Sequence, residues 1–112
     1  MDCIFCKIIN GEIPSAKVYE DELCFAFKDI TPQAPVHIVL VPKKHVESLS
    51  AMQLADQALL GHLMLAAAKI ARDAGIAESG YRVVTNIGKD AGQTVFHLHI
   101  HIMGGGVMGM LA

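Results

Sequence analysis

The chain has 112 residues, 9 Lys and Arg against 11 Asp and Glu, and a hydrophobic fraction of 53%. That length suits one domain spanning residues 1–112. A net charge of −2 argues against a nucleic-acid polymer as partner, because counterion release needs many Lys and Arg, but it leaves a mononucleotide open. Three cysteines are an odd number, and Met1-Asp2-Cys3 does not open a basic, long apolar leader. The expectation is a cytoplasmic chain without disulfides. No uninterrupted apolar run approaches the ~20 residues of a membrane span. Lys69, Arg72 and Asp73 cut the longest one, so the apolar excess is assigned to a subunit interface rather than to a membrane.

In chain order, Ile4, Phe5, Ile8 and Ile9 suit a short helix ended by Asn10-Gly11. Val18-Tyr19-Glu20 and Cys24–Lys28 flank the polar Asp21-Glu22 as in a hairpin. His37–Val41 is a β-branched apolar run between Pro35 and Pro42, which predicts a buried strand. A long helix is expected from Met52 to Ala74, with Leu59, Leu60, Leu63, Leu65, Ala67 and Ile70 apolar and Gly75 as its stop. Ala67 is taken as a candidate partner-facing position. Tyr81–Thr85 and Val95–Met103 read as two further strands around a turn-rich loop, Asn86–Gln93. The fold class is α+β with a mostly antiparallel sheet.

His97-Leu98-His99-Ile100-His101-Ile102 carries the chemistry. On a strand, alternate side chains share a face, so three imidazoles line one side, roughly 7 Å apart, while Leu98, Ile100 and Ile102 enter the core. His37 opens another strand and can join them. Such a row either binds a metal, with His-x-His as zinc ligands, or supplies a histidine nucleophile for phosphorus with neighbours that stabilise the oxyanion. Gly88 and Gly92 in the preceding loop suit an anion-binding backbone concavity, and Gln93 and Thr94 add side-chain donors. Cys3-x-x-Cys6 reads as a metal half-site, a redox pair, or two small apolar residues holding a terminal helix. Cys24 is expected to be a buried strand residue, and His62 a structural one.

Gly92–His101 resembles the signature of the histidine-triad superfamily. Asp29–His37, Pro42-Lys43-Lys44-His45 and Gly61-His62-Leu63 are similar to its Hint branch, so the likeness runs along nearly the whole chain. Thr94 stands where Ser is common in that branch and keeps the hydroxyl, and the tail Gly104–Ala112 has no Trp. The resemblance implies a HIT-like fold and a homodimer whose two sheets join. It implies that adenosine and other purine phosphoramidates are hydrolysed to AMP or GMP and an amine, with no cofactor needed for catalysis. It makes His99 the nucleophile, oriented by His97, with His101 and His37 around the phosphate. Asp29 would take the ribose hydroxyls; Asn86, Gly92, Gln93 and Thr94 the phosphate or leaving group; Ile4, Phe5, Ile8, Phe27 and Ile30 the base. It also implies a structural zinc on Cys3, Cys6, His45 and His97. The rival readings are a dinucleoside polyphosphate hydrolase, a zinc-dependent metallohydrolase using the triad, and a non-catalytic nucleotide-binding adaptor.

Overall fold

The computed structural model of the chain describes residues 3–110. Helix α1 (Ile4–Ile9) is followed by strands β1 (Lys17–Glu20), β2 (Cys24–Lys28) and β3 (Val36–Pro42). Two 3-10 turns, Leu49–Ala51 and Leu54–Asp56, lead into α2 (Gln57–Asp73), and then come β4 (Tyr81–Val84), a 3-10 turn (Lys89–Ala91) and β5 (Ile100–Gly104). The strands form one sheet in the order β1-β2-β3-β5-β4, and all its pairings are antiparallel. The α+β class expected from the sequence is what the chain adopts. β1 and β4 are the edges, and the β1–β2 register shifts between Lys17 and Tyr19.

The pleat sorts the side chains. Cys24, Ala26, Ile38, Leu40, Ile100 and Ile102 point to one face, where Leu63, Ala66, Ala67, Ile70 and Ala71 of α2 cover them. Phe25, Phe27, Val39 and Val41 point to the other, where Ile8 of α1 joins them. Thus α2 packs on the back of the sheet and α1 on the front, leaving the rest of the front face for chemistry.

Two boundaries differ from expectation by several residues. The long helix begins at Gln57, not Met52, because Gln53 and Asp56 form a reciprocal capping box that fixes a 3-10 turn first. Its end is as expected: Gly75, at φ 78°, takes the left-handed conformation that stops the helix. β5 begins at Ile100, not Val95, so only His101 of the triad lies on a ladder. The partner strand β3 ends at Pro42, which has no N–H to extend the ladder. Leu98 bonds its N–H to the Val46 carbonyl instead, at 2.6 Å.

Ala67 is 1% exposed and faces the sheet, so it is not a partner-facing position; Leu65, 75% exposed, is on the outer side of α2. By length and overall composition Leu54–Asp73 is apolar enough to cross a bilayer, contrary to the expectation that charges exclude it. Its buried side nonetheless packs on the sheet, as a core helix does.

Candidate functional site

The front face carries all four histidines expected there, and the hydrogen bonds fix which nitrogen of each holds the proton. His99 Nδ1 lies 2.8 Å from the main-chain carbonyl of His97. A carbonyl only accepts, so Nδ1 is the protonated nitrogen and Nε2 keeps a lone pair. His37 Nδ1 accepts the Gln33 amide at 3.0 Å, so its Nε2–H donates to His101 Nδ1 at 2.8 Å. His101 is then left with a proton on Nε2. Two imidazoles 5.2 Å apart, centre to centre, therefore have opposite polarity: His99 offers a lone pair and His101 a proton. Burial holds the pKa of His101 below the ordinary histidine value, the nearby His99 and His37 push the same way, and Asp29 opposes them. The neutral ring is thus favoured.

His97 is turned away from this pair. Its Nε2–H donates to the Pro42 carbonyl at 2.8 Å, which leaves Nδ1 as a ligand facing Cys3 Sγ at 3.3 Å, Cys6 Sγ at 3.6 Å and His45 Nδ1 at 3.1 Å. Cys6 Sγ stands 3.4 Å from His45 Nδ1, and the four ligand atoms all lie within 4.8 Å of one another. A tetrahedron with metal–sulfur bonds of ~2.3 Å and metal–nitrogen bonds of ~2.0–2.1 Å has edges of roughly 3.3–3.8 Å. These residues fit a closed zinc site, with two sulfurs and two nitrogens and no open position. Burial, more than the neighbouring histidines, lowers the pKa of His97 and so favours its ligating neutral form, against the Pro42 carbonyl. It is the carbonyl of His97, not its ring, that orients His99.

Beside His99 opens an apolar cavity of about 340 Å³. Phe5, Ile8 and Phe27 form its walls, and Ile4 and Ile30, 47% and 94% exposed, its rim. The Phe5 ring meets that of His99 edge-on at 5.0 Å. Asp29 lies at the mouth, with Oδ1 held by the Thr31 amide and hydroxyl at 2.8 and 3.1 Å. Its Oδ2 is 3.3 Å from His37 Nε2. Thr94 lines the same cavity, whereas Asn86 lies outside it, in a neighbouring cavity that His101 also borders.

The loop before the triad is not the open anion cradle expected of it. The Gly92 and Gln93 amides donate to the Lys89 and Gly88 carbonyls at 3.0 and 3.1 Å. Buried Gln93 accepts from the Gly88 amide and donates to the Glu47 and Val95 carbonyls, so its amide group ties the loop down and is not free for phosphate. Gly92 is at φ 83°, which closes the 3-10 turn. Cys24 is buried as expected, and His62 binds Asp21 away from the site, at 2.7 Å. Sequence reasoning missed Thr31, Gln33 and Pro42. Asp29-x-Thr31 had the spacing of an aspartate turn, but the two backbone groups left no trace in side-chain pattern.

A family model for the HIT domain, the histidine triad, matches residues 10–107. The chain belongs to the HIT domain family. An uncharacterized HIT-like protein of Synechocystis is 60% identical over 104 residues, which is 93% of this chain and 90% of that one. A HIT family hydrolase of Legionella pneumophila superposes with a TM-score of 0.96 at 43% identity, over 98% of each chain. A histidine triad protein of Clostridium difficile also gives 0.96, at 48% identity over 100% of this chain and 97% of that one.

Proposed function

We propose that this HIT protein is a purine-nucleotide hydrolase that cleaves the P–N bond of nucleoside 5′-phosphoramidates through a nucleotidyl-histidine intermediate. The opposite polarity of His99 and His101 carries the reading. The base enters the apolar cavity between Phe5, Ile8 and Phe27, and the Asp29 carboxylate takes the ribose hydroxyls at its mouth. His99 Nε2 attacks phosphorus as the P–N bond breaks, and the amine leaves with a proton drawn from solvent. The positive charge this puts on His99 is stabilised by the His97 carbonyl on Nδ1–H. His101 Nε2–H donates to the phosphate oxygen on which negative charge grows. Water then attacks phosphorus, frees His99 and returns a proton to solvent.

In the same reading a structural zinc sits on Cys3, Cys6, His45 and His97, where it would cross-link α1 to the sheet. No cofactor takes part in the reaction. The functional unit is a homodimer, and an odd count of three cysteines suits a reducing cytoplasm.

The test is His99→Ala assayed on adenosine 5′-phosphoramidate and on a diadenosine polyphosphate, with AMP binding measured alongside. The expected result is loss of phosphoramidate turnover by roughly a thousandfold or more, with AMP affinity largely kept, because the base and ribose contacts remain. Near-normal turnover in the variant removes the covalent mechanism.

A further inference from the structure

His101 is the only described residue that lines both the base cavity and a second cavity, of about 450 Å³, on its far side. An in-line displacement sends the leaving group away from the nucleophile. His99 borders the first cavity and not the second, so the second is where a leaving group would go. Its chemistry is asymmetric. Met103 and Met108 give apolar walls, Gln33 and Asn86 neutral polar ones, and Arg82 the only Lys or Arg; no described carboxylate lines it.

Arg82 is on the same sheet face as the triad. Val84 pairs with His101 and Arg82 with Met103, so Arg82 is the same-face diagonal neighbour of His101, roughly 7–8 Å away. One of its N–H groups donates to the Gly109 carbonyl at 2.5 Å, which draws the tail alongside the cavity. No described carboxylate pairs with it; the described ion pairs all involve other cations. A guanidinium has five donors in a planar fork that matches carboxylate or phosphate geometry.

We infer that the second cavity is an acidic leaving-group subsite in which Arg82 recognises an oxyanion, carboxylate or phosphate, a few bonds from the nitrogen that departs. This deepens the proposed function and rests on it. The specificity is therefore for amines that carry an acid, rather than for the nucleotide half alone.

The test uses three AMP amides: of β-alanine, of β-alanine carboxamide, and of phosphoethanolamine. Their kcat/KM is compared in wild type, Arg82→Met and Arg82→Lys. A charge-assisted hydrogen bond corresponds to a preference of about tenfold or more. Wild type is expected to favour an acidic substrate over the carboxamide by that factor, Arg82→Met to bring the ratio near one, and Arg82→Lys to restore part of it. Whichever acid leads, with its lead dependent on Arg82, identifies the oxyanion. Equal turnover of acid and carboxamide by wild type, or a preference that survives Arg82→Met, overturns the subsite. Dissociation constants of the same compounds on the His99→Ala protein read the preference without catalysis. If wild type turned over none of them, the proposed function would fall, while these constants would still decide for or against Arg82.

Discussion

Asp21 closes the β1–β2 turn almost alone. Its Oδ1 accepts the Leu23 and Cys24 amides at 2.8 and 2.9 Å, and its Oδ2 accepts the Tyr19 hydroxyl at 2.7 Å and faces His62 on α2 at 2.7 Å. Burial alone would raise the carboxyl's pKa, but together these bonds hold it well below the usual carboxylate range. Burial, followed by the bond to Asp21, pushes the Cys24 thiol up to about 12 and makes it inert. A carboxyl whose pKa is depressed on folding stabilises the native state above its unfolded value of about 3.9, and that stabilisation is lost as pH falls below it. Asp21→Asn should therefore cost roughly 1–3 kcal/mol at pH 7. In urea titrations the gap to wild type should narrow as pH drops below about 4. An equal gap at neutral and acid pH would show that the charge on Asp21 plays no part.

Helix α1 has 6 residues, far too few to be stable alone, yet Phe5 and Ile8 wall the apolar cavity beside His99 and Cys3 and Cys6 face His45 and His97. If zinc closes that site, metal analysis should find about one ion per chain, with four protein ligands. Chelation, or Cys6→Ser, should lower Tm more than it lowers the rate of protein that stays folded. An immediate loss of activity with Tm unchanged would instead assign the metal to catalysis. At this scale the sequence was partly legible. The alternation of His97, His99 and His101 with Leu98 and Ile100 survives even where no ladder supports it, since burial alone enforces it. The place where the strand starts was not legible, because it depends on Pro42 in another strand. The Gln93 contacts were hidden for a like reason: one of its acceptors, Glu47, is 46 residues away. Helical periodicity gave α2 a wide apolar face but could not separate Ala67, under the sheet, from Leu65, in solvent.

At the scale of the molecule, the proposed dimer has two surfaces to use. Leu65 and Met64, 75% and 47% exposed, lie on the outer side of α2, and β4 offers an unpaired edge on which Val83 is 36% exposed. Leu65→Glu is expected to shift the protein to monomer in sedimentation at micromolar concentration without unfolding it. Ala67→Glu would bury a charge in the core and abolish folding. Wild type that sediments as a fully active monomer would refute the dimer. The two borders of the sheet differ in a way that matters beyond pairing. β4 is short, regular and open, whereas β1 is bent by its register shift and dressed with Lys17, Glu20 and Lys43 in ion pairs at 3.2 and 2.8 Å. A bulged, charged border resists a further strand. Two copies joined through β4 would present only such borders at either end, so association terminates itself: the molecule can double, but it cannot propagate into a fibre.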